Sequence, residues 1–153
     1  MKRIEVKLSL PVVAPLLDVI KALSDNLRTQ LAAPLAMTDL EPEFRESWAA
    51  DLVAAQAGDV GVLMALFDEN FFSEGVIGLD EANAEPVVRA CAAVRLRLRE
   101  KFLQGLGDEL LESSEVELEQ LDEPVRKAFM CYLFLATLQE LIIQHLDSTI
   151  LES

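Results

Sequence analysis

This 153-residue chain has only one histidine, two cysteines, one tryptophan and one tyrosine, so the imidazoles and thiols of much enzyme and metal chemistry are scarce. A single histidine, His145, with Cys91 and Cys131 far apart in sequence, cannot supply the clustered ligands of a zinc site. Glu-x-x-His pairs, which hold carboxylate-bridged metals inside helical bundles, are also missing. Glu140 and His145 are five apart and fall on different helix faces. There is no phosphate-binding glycine loop, no dinucleotide fingerprint and no Gly-x-Ser-x-Gly elbow. No metal, cofactor or catalytic residue is therefore expected. His145 with Glu140 or Asp147 would be the last candidate for a general base, but near a helix C-terminus it is more simply a surface cation. Cys131 lies among Phe129, Met130, Tyr132 and Leu133, and Cys91 lies in another apolar stretch, so both read as small core residues and not as nucleophiles or a disulfide framework.

Bases are scarce. Thirteen against twenty-seven acids leave a net charge of −14, which repels nucleic-acid backbones and anionic lipid alike. A basic protein partner remains compatible, as does simple solubility. Met1–Glu5 alternates polar and apolar residues and lacks the apolar core of a signal peptide. The longest apolar run, Ala128–Ala136, is well short of the roughly 18 residues that span a bilayer. These features predict a cytoplasmic protein with no membrane or nucleic-acid partner. Its length predicts one domain over 1–153, and its 52% apolar content is enough for a core without staples.

What is present is mostly helical. Ile4, Val6, Leu8 and Leu10 alternate with polar residues, a half-buried strand that Pro11 ends. Its ladder partner would be the short segment 75–78, its own copy in a dimer, or none, if it is an arm laid on helices. Leu16, Ile20, Leu23, Leu27 and Leu31 form the stripe of a first helix, stopped by Pro34. After a connector over 34–42, Asp39 and Pro42 mark a second helix through Phe44, Trp48, Leu52 and Ala55, broken at Gly58 and Asp59. A third carries Val60, Leu63, Phe67 and Phe71 into the core. A fourth runs from an Asp80 cap to about Leu103, kinked or delayed by Pro86, with two apolar stripes: Val87, Cys91, Val94, Leu98 and Phe102, and Val88, Ala92, Leu96 and Leu103. Residues 108–123 hold eight acids and no base and read as a short helix or packed acidic loop, with docking to a partner as an alternative. A last helix, from an Asp122 cap toward Ile150, is apolar all round from Ala128 to Ala136 and predicts the buried axis. The expected fold is mostly α, a bundle of about five helices with a short N-terminal strand or arm.

Arg95, Arg97 and Arg99 are threaded between the stripes of the fourth helix. They would form an anion pocket, or would pair with the chain's many acids. Leu79-Asp80-Glu81 leading into Val94-Arg95-Leu96, and Tyr132-Leu133-Phe134-Leu135-Ala136-Thr137-Leu138-Gln139-Glu140, resemble an uncharacterised helical family of actinobacterial type, domain of unknown function twenty-seventeen. Val87 or Val88, Phe134 and Thr137 stand where that family favours tryptophan. The resemblance implies a strand followed by helices and no known activity, and it singles out Arg95, Tyr132, Gln139 and Glu140. An Arg95–Glu140 ion pair between the last two long helices is expected from it.

These readings converge on a non-enzymatic helical interaction protein, homodimeric, with a further protein partner possible. An unpaired strand, a two-faced fourth helix and the missing catalytic constellation motivate it. The alternative is a small-ligand or anion binder using Arg95, Arg97, Tyr132 and Glu140. An enzyme is the least favoured reading.

Overall fold

The computed structural model describes residues 3–32, 41–104 and 121–150, the side chains of 147–150 excepted. In chain order the elements are β1 (Arg3–Lys7), α1 (Leu10–Leu27), α2 (Pro42–Ala65), α3 (Glu69–Glu74), β2 (Val76–Asp80), α4 (Ala84–Lys101) and α5 (Glu123–Ile150). The fold is mostly α as expected, with four long helices and a six-residue one among the described residues. The acidic stretch lies outside the described residues up to position 120, as do Asp39 and Pro34.

The alternating N-terminal segment finds its ladder within the chain. β1 runs antiparallel to β2, with Ile4 opposite Leu79 and Val6 opposite Ile77. Arg3, Glu5 and Lys7 are exposed while Ile77 and Leu79 are buried, the outcome that period-two alternation dictates. A strand left over for a second copy is therefore no longer a reason to expect a dimer. Gly75 makes the pairing possible. It ends α3 at φ +72°, where a Cβ would lie 2.6 Å from the Leu8 carbonyl oxygen. Its own carbonyl accepts from the Leu8 N–H at 2.6 Å, so the two chain segments touch where only glycine fits.

The α1 stripe buries Leu16, Ile20, Leu23 and Leu27. The helix stops one turn before Leu31. Gln56 of α2 donates to the carbonyls of Leu27 (2.6 Å) and Gln30 (2.8 Å) and accepts from the Ala32 N–H (3.1 Å). A side chain distant in sequence thus satisfies groups that another helical turn would have satisfied.

The expected break at Gly58 and Asp59 is absent, and α2 continues to Ala65. A helical glycine costs only about 1 kcal/mol, and the alanines and valines around it sustain the turn. Asp59 is not a cap but an ion-pair partner of Arg89 on α4. The real break is at Leu66–Asp68, where the Asp68 carboxylate accepts from the Phe71 N–H at 3.2 Å and caps α3. Asp80 likewise does not cap α4 directly. It accepts from the Ala82 and Asn83 N–H groups, both at 2.9 Å, and so shapes the preceding turn. Pro86 falls in the first turn of α4, where it is tolerated without a kink.

α4 rather than α5 is the axis, since it packs against α1, α2 and α5. α5 buries Phe129, Cys131, Tyr132, Leu135, Leu138 and Ile142 but leaves Met130, Leu133 and Phe134 half-buried. Phe67 and Phe71 meet edge to face at 5.2 Å, and Phe67 also lies 6.2 Å from Phe134 of α5. By length and mean hydropathy alone, two stretches are apolar enough to cross a bilayer: Pro42–Glu74 (1.5) and Glu123–Leu146 (1.3). The apolar core helix of a bundle meets the same criterion.

Candidate functional site

Helical spacing brings three of the resemblance residues together across the α4–α5 seam. Tyr132 and Gln139 are seven apart, two turns along one face of α5, and that face meets Arg95 on α4. The Arg95 Cζ lies 4.3 Å from the centroid of the buried Tyr132 ring, a cation–π contact. Arg95 Nη1 donates to Gln139 Oε1 at 2.6 Å, and Gln139 Nε2 donates to the Val88 carbonyl at 3.0 Å. One side chain of α5 is thus clamped between two turns of α4. The expected Arg95–Glu140 ion pair does not form. Adjacent helix positions are about 100° apart, so when Gln139 faces α4, Glu140 turns to solvent, where it accepts from Gln144 at 3.3 Å.

Arg97 points elsewhere. It is buried, donates from Nη2 to the Leu31 carbonyl at 2.8 Å and has Glu100 at 3.6 Å. It fastens the chain after α1 to α4. Arg95, Arg97, Tyr132 and Glu140 therefore do not share one site. Arg95 and Arg97 each bury an Nε without a hydrogen-bond partner.

Cys91 and Cys131 are free, buried thiols. Burial pushes both up to about 12, outweighing Arg95 near Cys91 and Lys127 near Cys131. A thiol held in that range is inert as a nucleophile at neutral pH. Cys131 donates to the Leu16 carbonyl at 3.6 Å. His145 is exposed. Among the described residues, no group of three histidine, cysteine, aspartate or glutamate side chains is placed to hold a metal.

The feature that sequence reasoning missed is the face shared by α2 and α4. The first half of α2 projects beyond the core: from Glu41 to Trp48 every residue is exposed, and the only buried residues of the helix are Val60 and Leu63. Phe44 (63% exposed), Trp48 (55%) and Leu52 (42%) form an i, i+4, i+8 stripe on this arm. Leu96 (45%) on α4 stands across from it. Of the expected second stripe of α4 only Ala92 and Leu96 are exposed, Val88 being half-buried and Leu103, beyond the end of the helix, buried. Between the helices lies a cavity of about 470 Å³ whose walls include Leu52, Ala55, Ala92, Ala93 and Leu96. Its polar edge is Gln56 and the Asp59–Arg89 pair, doubly bonded at 3.0 Å, with Glu85 at 2.6 Å from Arg89. The hydrogen bond that Arg89 donates to Asp59, against the cost of burial, holds the guanidinium pKa above its ordinary value. Sequence carries only the length and apolar character of Pro42–Glu74; that just 22% of its most apolar window is buried among the described residues is visible in the structure alone.

The family model described as Domain of unknown function (DUF2017) matches residues 17–146, a span that contains both segments that carried the resemblance. No curated protein and no solved structure matches the chain.

Proposed function

The chain belongs to the DUF2017 family, and we propose that it acts as a non-enzymatic helical interaction domain that pairs with a second copy of itself. The bare apolar face of α2 and α4 carries this reading. Taking about 200 Å² for a whole large side chain, the exposed parts of Phe44, Trp48, Leu52 and Leu96 present roughly 400 Å² to solvent. A patch of that size is within the range of the largest apolar patch on a monomer, which is often a functional one. Two copies would contribute about twice that area to the centre of an interface, half of the roughly 1,600 Å² that a stable complex buries. A bilayer is the poorer cover, because Asp51 and Asp59 lie within the same apolar stretch and each charge costs about 3 kcal/mol at membrane depth. The proposed compartment is the cytoplasm, and the two free thiols support it.

The test is sedimentation equilibrium on the wild type and on Trp48→Glu. The wild type is expected to be a dimer and the variant a monomer with unchanged helical circular dichroism. A wild type that stays monomeric up to its solubility limit would overturn the proposal.

Small-ligand binding on α4 is the second reading. The cavity beside Ala92 and Ala93 has the volume of a ligand site, with the Arg89 guanidinium at its edge. A rise in melting temperature with inorganic phosphate or a small carboxylate would support it, and no rise would count against it.

A further inference from the structure

We infer that two copies meet about a two-fold axis beside Leu52, with their α2 helices antiparallel and Trp48 of each seated in the α2/α4 cavity of the other. This pairing rests on the self-association proposed above and specifies its geometry.

Knob and hole lie on one face of one chain. The hole is lined by Ala55, Ala92 and Ala93, whose small side chains leave space between the two helices. The knob, Trp48, is not among the residues that line it and stands seven positions before Ala55 on the same helix, about 10 Å away at 1.5 Å per residue. A surface bearing a projection and a recess side by side is self-complementary under a two-fold axis placed between them. An antiparallel pairing about Leu52 matches residues equidistant from it in opposite directions. Trp48 then faces the partner's Gln56, at the cavity edge, and Leu52 faces its own copy.

Charge favours the same register. On the exposed arm Glu41, Glu43, Glu46 and Asp51 are accompanied by a single base, Arg45. The antiparallel register sets Arg45 opposite the partner's Asp59, which together with Glu85 outnumbers the one guanidinium, Arg89, that it pairs with, and on a helical wheel Arg45 and Asp59 lie within about 60° of Trp48 and to the same side. A parallel pairing would set Arg45 beside its own copy and Trp48 against Trp48, with both recesses empty. Opposing the association are the net charge of −14 on each copy and the two Asp51 side chains flanking the axis. Both terms are long-range and screened, so added salt tightens the dimer.

The closing experiment combines a cross-link with a filled recess. Leu52→Cys is expected to give a covalent dimer under mild oxidation, because antiparallel helices in contact bring symmetric residues within disulfide reach. The native thiols are buried and silent. Ser47→Cys, exposed but about 100° around the helix from Trp48, is expected to give none. Ala92→Phe, at an exposed position bordering the recess, is expected to weaken self-association at least about tenfold in sedimentation, with the single tryptophan's emission shifted to longer wavelength. A wild-type dimer that Leu52→Cys does not cross-link and Ala92→Phe does not weaken overturns this pairing and leaves self-association standing. A wild type that never dimerises overturns both.

Discussion

Replacing Gln56 with alanine tests the joint between the core and the projecting half of α2. The Gln56 amide makes three hydrogen bonds to the backbone at and beyond the end of α1: to the carbonyls of Leu27 and Gln30 and from the Ala32 N–H. Each neutral hydrogen bond contributes about 1 kcal/mol net. Gln30 is exposed and Ala32 half-buried, so part of what is uncovered can bind water, and Gln56→Ala is expected to cost about 2–3 kcal/mol. For a domain of this size that lowers Tm by roughly 5–10 °C. Urea denaturation followed by far-ultraviolet circular dichroism should show a lower midpoint with an unchanged slope, measured across protein concentrations because Gln56 also borders the cavity. Gln56→Glu sharpens the test. It keeps the acceptor for the Ala32 N–H but sets carboxylate oxygen against two carbonyls, so it should be worse than alanine. A loss below about 0.5 kcal/mol for alanine, or a milder effect for glutamate, would refute the argument that these bonds end α1.

Gly75→Ala should destabilise by about 2–4 kcal/mol, read by thermal denaturation, because φ +72° and the Leu8 carbonyl 2.6 Å from the new Cβ act together. A Gly75→Ala variant as stable as wild type would show that the strand junction is not as described. Raised thiol values predict alkaline sensitivity. Unfolded thiols lose their protons near 9 while Cys91 and Cys131 keep theirs to about 12, so their contribution is intact below pH 9 and lost as pH rises from 9 to 12, by about 1.4 kcal/mol per pH unit for each thiol. Cys91→Ala should flatten that slope of stability against pH, and an unchanged slope would reject the assignment. Gln139→Ala should cost about 1–2 kcal/mol, since it strips the Val88 carbonyl and Arg95 of their partner. It should also alter the near-ultraviolet dichroism of the lone tyrosine, which stacks with Arg95. Glu140→Ala should do neither.

Local signals in the chain were strong where the physics is local. Period-two alternation places Ile4 and Val6 inward, and period-four stripes mark Leu16, Ile20, Leu23 and Leu27 on α1 and Val87, Cys91, Val94 and Leu98 on α4 as buried. Arg95 and Tyr132 were legible as members of two matched motifs but not as a contact, since Glu140 was the partner expected for Arg95. Gln139 was named, but the choice between Gln139 and its neighbour Glu140 was not legible, because it turns on how α5 is rotated against α4.

Helical class, acidity, the alternating strand and the buried stripes were therefore determined by the sequence itself, because each follows from side-chain chemistry repeated at the period of the backbone. Tertiary structure alone decided that β1 pairs with β2, that α2 runs through Gly58, that Gln56 ends α1, and that Phe44, Trp48 and Leu52 are left uncovered. In each case the outcome depends on which distant group arrives to satisfy a backbone donor or cover an apolar face. Arg89 meets Asp59 and Gln56 meets Leu27 across some thirty residues of chain, a separation over which local periodicity carries no information.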